Sequence, residues 1–315
     1  MNPSDTFDYC FTVFTPVYNR AHILHRVYNS LKAQTFRDFE WLVVDDGSTD
    51  NSVELVRKWK EEQELAPEGA FPVRIIEKKN GGKHTASNIA VEKARGRFFL
   101  TFDSDDSCVP EALERFVYHW NSIPESEKPR FSAVTVLCMR PDGTIEGSRF
   151  PESPLDSNSV ESHAYYKVSG EKWGFQRTDL MRQFPFPEYL GERFIPESVV
   201  WNRIAQQYKT RYVNEALRIY YPEDDSLSSS VLAIRVKSPR GTALMYNELS
   251  GNTIPVIMRM KAVINYIRFS FHGKNGLSSI VHEALRPMIA FLLSPVGYIF
   301  YLRDTVKMRS MDASR

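Results

Sequence analysis

The chain has 315 residues, room for two units of ordinary domain size, and it can bury a core without disulfide or metal staples. With 42% hydrophobic, 13% aromatic and 25% charged residues, its composition excludes disordered, collagen-like and low-complexity classes. The net charge of +1 hides an asymmetry: residues 231–315 hold twelve Lys and Arg against four Asp and Glu, a net +8, while the first 230 residues carry 28 against 35, a net −7.

Residues 1–20 lack a basic segment followed by an apolar run, so no secretory signal is expected. Residues 11–17 are β-branched and aromatic and predict a strand, and residues 23–31 carry apolar side chains at helical spacing. The run 39–44 has the character of a strand buried on both faces. It ends at Asp45-Asp46-Gly47-Ser48, and Ser48, Thr49 and Asp50 are N-cap candidates for a helix through Trp59. A third strand is expected at 73–76, a helix at 84–94, a strand at 98–102 and a helix at 111–121. This alternation implies an α/β fold with a mostly parallel sheet and helices on both faces, whose ligands bind beyond the carboxyl ends of the strands.

After residue 130 the rhythm changes. A strand at 131–139, a turn at Pro141-Asp142-Gly143 and a return strand at 144–150 are predicted, then a Ser-, Pro- and Glu-rich loop over 151–172. A helix over 197–208 and a strand over 212–220 follow, and 223–230 reads as a linker or lid. Two domains result, 1–225 and 226–315. Cys10, Cys108 and Cys138 are too widely spaced for a disulfide framework or a zinc site and suggest a reducing, cytoplasmic setting.

Acidic clusters stand at two predicted strand ends. In Phe102-Asp103-Ser104-Asp105-Asp106, positions i and i+2 share one side of an extended chain, so Asp103 and Asp105 converge. Such carboxylates suit a hard cation, Mg²⁺ or Mn²⁺, completed by phosphate oxygens, or else a solvated turn before the next helix. Gly81-Gly82-Lys83-His84 opens a helix, lets the backbone approach a ligand and offers Lys83 to a phosphate. Neither G-x-G-x-x-G nor a Walker-type loop is present.

The motifs run in one order: Thr15-Pro16-Val17-Tyr18-Asn19-Arg20, Gln34-Thr35-Phe36, Asp45-Asp46-Gly47-Ser48-Thr49-Asp50, Gly81-Gly82-Lys83-His84 and Asp103-Ser104-Asp105-Asp106. Over residues 8–222 the series resembles the family 2 glycosyltransferases of GT-A fold, whose bacterial members commonly assemble capsule, lipopolysaccharide and other surface polysaccharides. The resemblance implies that Thr15 and Tyr18 lie beside the nucleotide base and that Asp46 hydrogen-bonds it, usually as uracil. It implies that Asp103, Asp105 and Asp106 hold ribose and a divalent metal, with Asp105 and Asp106 favoured as metal contacts, and that Lys83 lines the donor pocket. It also implies a catalytic carboxylate a few residues before a Trp. Here that is Glu197 ahead of Trp201, where many relatives have Glu-Asp or Asp and this chain has Glu197-Ser198. Trp173 fits either a stacking platform for an acceptor sugar or a core position.

The expected activity is inverting, metal-dependent transfer from a nucleotide-sugar, most often a UDP-sugar, to a hydroxyl of a saccharide or lipid-linked acceptor. A sugar nucleotidyltransferase and a non-catalytic nucleotide-binding membrane adaptor are the alternatives. Residues 277–293 show an unbroken helical apolar spacing with a kink expected at Pro287, and a second apolar segment follows at 296–302. The apolar run 287–302 is only sixteen residues long, short of the roughly 20 that a spanning helix needs. Residues 254–309 therefore read either as helices packed on the catalytic domain or as a peripheral contact with an anionic membrane surface. No RNP, helix-turn-helix or zinc-finger pattern supports nucleic acid.

Overall fold

The computed structural model describes residues 7–66, 68–222 and 227–313. The strands β1 (Tyr9–Val17), β2 (Phe39–Asp45), β3 (Val73–Glu77) and β4 (Gly96–Thr101) alternate with helices α1 (His25–Lys32), α2 (Ser52–Leu65) and α3 (Lys83–Lys93). Next come β5 (Ser107–Cys108), α4 (Ala112–Asn121), β6 (Phe131–Met139), β7 (Leu155–Ser157) and α5 (Ser159–Ala164). Then β8 (Lys172–Arg177), α6 (Thr178–Gln183), α7 (Ser198–Ala205) and β9 (Lys209–Ile219) lead to five C-terminal helices. These are α8 (Leu227–Lys237), α9 (Pro239–Gly251), α10 (Val256–His272), α11 (Leu277–Glu283) and α12 (Pro287–Ala313).

The strands form one sheet in the order β3-β2-β1-β4-β8-β6-β9-β5, with β7 also paired to β9. Pairing is parallel from β3 through β4 and again between β6 and β9, while β8 runs antiparallel to both its neighbours. Period-2 alternation sorts the side chains. Phe11, Val13, Trp41, Val43, Phe98 and Leu100 pack with α1, α2 and α4, while α3 and α6 touch the sheet elsewhere. Glu40 interrupts the apolar run of β2, and it is wholly buried with a full set of partners: the Thr12 hydroxyl at 2.7 Å, Arg74 at 2.7 Å and the Arg95 N–H at 2.8 Å.

Three local expectations are corrected. The return strand at 144–150 is absent, because the chain turns away at Gly147 (φ +72°) after a single bridge between Met139 and Ile145. A side chain at Gly147 would meet Ser169 O at 2.2 Å. The loop at 151–172 contains β7 and α5, the latter capped by Asn158 Oδ1, which accepts from Glu161 N–H at 2.9 Å. Of the expected linker, residues 223–226 lie outside the described residues and α8 begins at Leu227. Cys108 and Cys138 are buried free thiols, and burial pushes both up to about 12.

Two compact units divide the chain: Met1–Pro185 with Arg203–Pro222, and Phe186–Asn202 with Glu223–Arg315. Within the second unit, the Glu192 carboxylate accepts from the N–H groups of Arg240 (2.8 Å) and Gly241 (2.9 Å) in the first turn of α9. That contact ties segment 186–202 to the C-terminal helices, whose core is Ala243, Val263, Ile267, Phe269, Ile280 and Ala290. Helices α11 and α12 are separate, with Pro287 opening α12, and the second apolar segment continues α12 through Pro295.

Candidate active site

The chain steps outward from β1 to β3 and then returns to β4 on the other side, which puts a switch point between β1 and β4. The acidic motifs follow β2 and β4. Asp45 Oδ2 accepts from the N–H groups of Gly47 and Ser48, both at 3.0 Å, folding the chain back at once. Gly47 has φ +80°, and a Cβ there would approach Asn80 N to 2.9 Å, so glycine is required on two counts.

Much of the two N-terminal motifs works as a loop clasp. Asn19 N–H donates to Ser48 Oγ (2.9 Å), Arg20 N–H to Ser52 Oγ (2.9 Å) and Ala21 N–H to Asp50 Oδ2 (3.0 Å). Thr49 N–H donates to Asn19 Oδ1 at 2.8 Å. These bonds fix the β1–α1 loop against the β2–α2 loop and leave Tyr18 about half exposed. The Thr15 side chain does not reach this edge. It shares the core-facing parity of β1, is fully buried, and its Oγ1 accepts from the Trp41 indole at 3.0 Å.

The Asp46 carboxylate draws the glycine loop onto the end of β2. It accepts from Lys78 Nζ at 2.5 Å and from the N–H groups of Gly81 and Gly82 at 2.8 Å each. Gly82, at φ +95°, then launches α3, and Lys83 Nζ reaches Asp103 Oδ1 at 2.6 Å.

Within the Asp103–Asp106 segment the three carboxylates have different fates. Arg218, delivered by β9 and almost fully buried, binds Asp106 through Nε (2.6 Å) and Nη2, and reaches Asp103 Oδ2 at 3.0 Å. Tyr221 N–H adds a bond to Asp106 Oδ1 at 3.0 Å. Burial pushes the Asp103 carboxyl up, but the charges of Lys83 and Arg218 outweigh it and hold the group down at about 2. Asp106 has no solvent exposure, and its partners fill both oxygens, so the expectation that it ligates a metal is corrected to a structural role. Burial pushes its carboxyl up to about 6 against the pull of Arg218.

Asp105 is held differently. Its backbone carbonyl accepts from Arg26 Nη1 at 2.8 Å, and that guanidinium stacks 3.9 Å from the centre of the Tyr221 ring. Among the described residues no side chain hydrogen-bonds or ion-pairs with its carboxylate, which burial and then the Asp103 charge push up from the ordinary range. No ready-made group of three His, Cys, Asp or Glu is assembled for a metal among the described residues. One open carboxylate matches the lean protein contribution of a Mg²⁺ or Mn²⁺ site that substrate phosphates complete.

Of the two positions open to Trp173, it takes the core one and not the acceptor platform: it is buried, donates from Nε1 to Thr101 O at 2.8 Å and packs on Phe102 and Phe116. Glu197 lies in the second compact unit, exposed, one residue ahead of α7. Sequence reasoning missed Arg218, Lys78 and Arg26. Arg218 had a signal, a basic residue between Leu217 and Ile219 inside the predicted strand 212–220.

The family model for glycosyl transferase family 2 matches residues 12–126. Among curated relatives, the glycosyltransferase YibD of Escherichia coli K12 is 33% identical over 229 residues, 69% of this chain and 62% of YibD. The poly(ribitol-phosphate) β-N-acetylglucosaminyltransferase TarS of Staphylococcus aureus is 36% identical over 191 residues, 57% of this chain but 30% of TarS. Chondroitin synthase of Pasteurella multocida is 39% identical over 104 residues, 33% of this chain and only 10% of that protein. This chain thus spans less than two thirds of the length of each of these relatives. In three dimensions it is similar to S. aureus TarS 1–349 in complex with UDP-GlcNAc (TM-score 0.56, 18% identity, 95% and 91% of the two chains covered). The mannosyltransferase PcManGT of Pyrobaculum calidifontis, in complex with GDP-Man and Mn²⁺, gives TM-score 0.56 at 17% identity over 97% and 85%. The clasped loops, the acidic strand ends and these matches agree: residues 12–126 form a family 2 glycosyltransferase domain, within a chain that has the GT-A fold.

Proposed function

We propose that the protein is an inverting glycosyltransferase that moves a sugar from a UDP-sugar to a hydroxyl of a saccharide acceptor, in the synthesis of a surface polysaccharide. The observation that carries this reading is the convergence of Asp46, Lys83, Asp103 and Asp105 beyond one edge of the parallel sheet, with Asp105 alone left open. UDP is favoured over GDP because TarS, the relative bound to UDP-GlcNAc in its crystal structure, is also similar in sequence, whereas the GDP-Man enzyme is similar in fold.

In this reading the exposed Tyr18 ring flanks the base and Asp46 accepts from it, exchanging one of its present donors. Asp103 meets the ribose, and Lys83, now paired with Asp103, turns to the diphosphate. Asp105 would hold a Mg²⁺ or Mn²⁺ ion, whose chemistry is charge neutralisation on the departing diphosphate. Glu197 takes the proton of the acceptor hydroxyl as that oxygen attacks the anomeric carbon opposite the leaving group. A lipid-linked acceptor would place the enzyme at the cytoplasmic face of a membrane, in keeping with the +8 excess of residues 231–315.

Glu197→Gln provides the test. Transfer should fall by about 100-fold or more while UDP binding is retained, because only proton removal is lost. Unchanged transfer would reject Glu197 as the base. Nucleotide binding with no transfer to any acceptor by the unaltered protein would favour the adaptor reading.

A further inference from the structure

Helix α12 is amphipathic in the wrong sense for a helix of a water-soluble bundle. Its fully buried positions are small or polar, namely Ala290, Ser294, Gly297 and Asp304, with Ile289 and Leu293 half-buried against the helical core. Its outward side is apolar, with Met288 79% exposed, Phe291 62%, Leu292 72%, Ile299 56% and Val306 68%. Close packing on α10 explains the small residues, since a Cβ on Gly297 would meet Ile267 Cγ2 at 2.5 Å. Charge follows the same inversion. The sole acid between residues 284 and 310 is Asp304, turned inward onto Arg268 (2.5 and 2.6 Å) and His272 (3.1 Å). Arg303, Lys307 and Arg309 face outward, with the Arg303 guanidinium 5.7 Å from the Phe300 ring.

Between α11 and α12, Val281, Pro287, Met288, Phe291 and Leu292 line a cleft of about 370 Å³ with apolar walls. Such a cleft can accept part of an acyl chain. Over residues Pro287–Ser310 the helix is long and apolar enough to cross a bilayer, with 24 residues giving ~36 Å of length. Its partner α10, however, carries exposed Lys261 alongside Arg259 and Arg268, and a spanning α12 would carry that helix into hydrocarbon.

We infer that the outer face of α12 lies in the plane of an anionic bilayer, with Phe291, Leu292 and Ile299 among the acyl chains and Arg303, Lys307 and Arg309 at the phosphates. This rests on the reading of the chain as an enzyme serving a lipid-linked acceptor, and it names the surface that would hold the enzyme there. It also predicts what the donor site does not need: the face takes no part in nucleotide binding.

Flotation of the full chain with vesicles tests the inference, using phosphatidylcholine alone and phosphatidylcholine with phosphatidylglycerol. The protein should float with the anionic vesicles, and Arg303→Gln/Lys307→Gln/Arg309→Gln should weaken binding by roughly 10- to 100-fold. Phe291→Gln/Ile299→Gln should weaken it comparably, with circular dichroism unchanged because both positions are exposed. Absence of flotation by folded protein overturns the inference. So does a concentration-dependent dimer, without flotation, that the Phe291→Gln/Ile299→Gln variant dissolves, since a second copy would then cover the face. Resistance of the cellular protein to alkaline carbonate extraction would also overturn it, in favour of a spanning helix. UDP titration of the same variants separates the two readings: flotation without UDP binding removes the donor reading alone, and UDP binding without flotation removes this one.

Discussion

The two compact units handle charge and apolar surface in opposite ways. In the first, apolar side chains fill the space between sheet and helices, and charge is gathered at one edge where Asp46, Asp103 and Asp106 meet Lys78, Lys83 and Arg218. In the second, the Asp304–Arg268 ion pair turns inward beside His272 while α12 presents Phe291, Leu292 and Ile299 outward. A domain surrounded by water minimises exposed apolar area, and the outer face of α12 departs from that rule. The comparison also separates two uses of a buried ion pair. Arg218 organises a site that must keep one carboxylate, Asp105, open, whereas Arg268 neutralises a carboxylate with no site beside it.

The sharpest way to break the comparison is at the open carboxylate. Asp105→Ala should cost transfer about 1,000-fold while the melting temperature stays within a few degrees, measured by sugar release and by thermal unfolding. A large loss of stability with retained turnover would put Asp105 among the structural acids. Arg218→Met should act the other way round, removing about 3–5 kcal/mol of stability in urea unfolding because Asp106 is left buried and uncompensated. In the second unit, Ile267→Ala should cost about 2–4 kcal/mol, since Ile267 is fully buried against Gly297. Ile299→Ala on the outer face should cost less than about 0.5 kcal/mol in the absence of lipid. Equal costs at the two positions would mean that α12 has no outer face.

The smallest effect is a pH dependence. Asp103 sits at about 2 in the folded chain against an ordinary value of 3.8, so its ion pairs stabilise the fold above the ordinary value. That contribution disappears as pH falls from about 4 toward 2, because the unfolded chain takes up the proton first. Asp103→Asn should flatten this part of the stability curve in urea titrations between pH 5 and 2.5, and an unchanged curve would contradict the Lys83 and Arg218 pairing.

Apart from the two-residue β5, the elements through α4 were legible because βαβ units impose a strict alternation of apolar periods, and the motifs mark the strand ends. Strand β8 was not, since Gly174 interrupts its pattern for a reason that only packing reveals: a Cβ there would meet Val134 O at 2.4 Å. At the site, the sequence placed Asp46, Lys83 and the Asp103–Asp106 segment together. It did not separate the open carboxylate from the clamped one, because the clamp comes from Arg218, 112 residues beyond Asp106. Thr15 was misplaced for a related reason, since motif membership says nothing about the side of the strand a residue faces. The apolar spacing of 277–293 was read as one helix kinked at Pro287, whereas the chain leaves the helix between Glu283 and Pro287; of that stripe Ile280, Ala284, Ile289 and Leu293 pack inward while Met288 and Leu292 stay exposed.

The most direct test of the central claim is calorimetric titration of the folded protein with UDP, GDP and CDP, each with and without Mn²⁺. The account predicts that UDP binds, that Mn²⁺ strengthens the binding by about tenfold or more, that Asp105→Ala removes that gain, and that GDP and CDP bind more weakly. Failure of all three nucleotides to bind would mean that the acidic strand ends only hold the loops together, contradicting the donor site proposed for this chain.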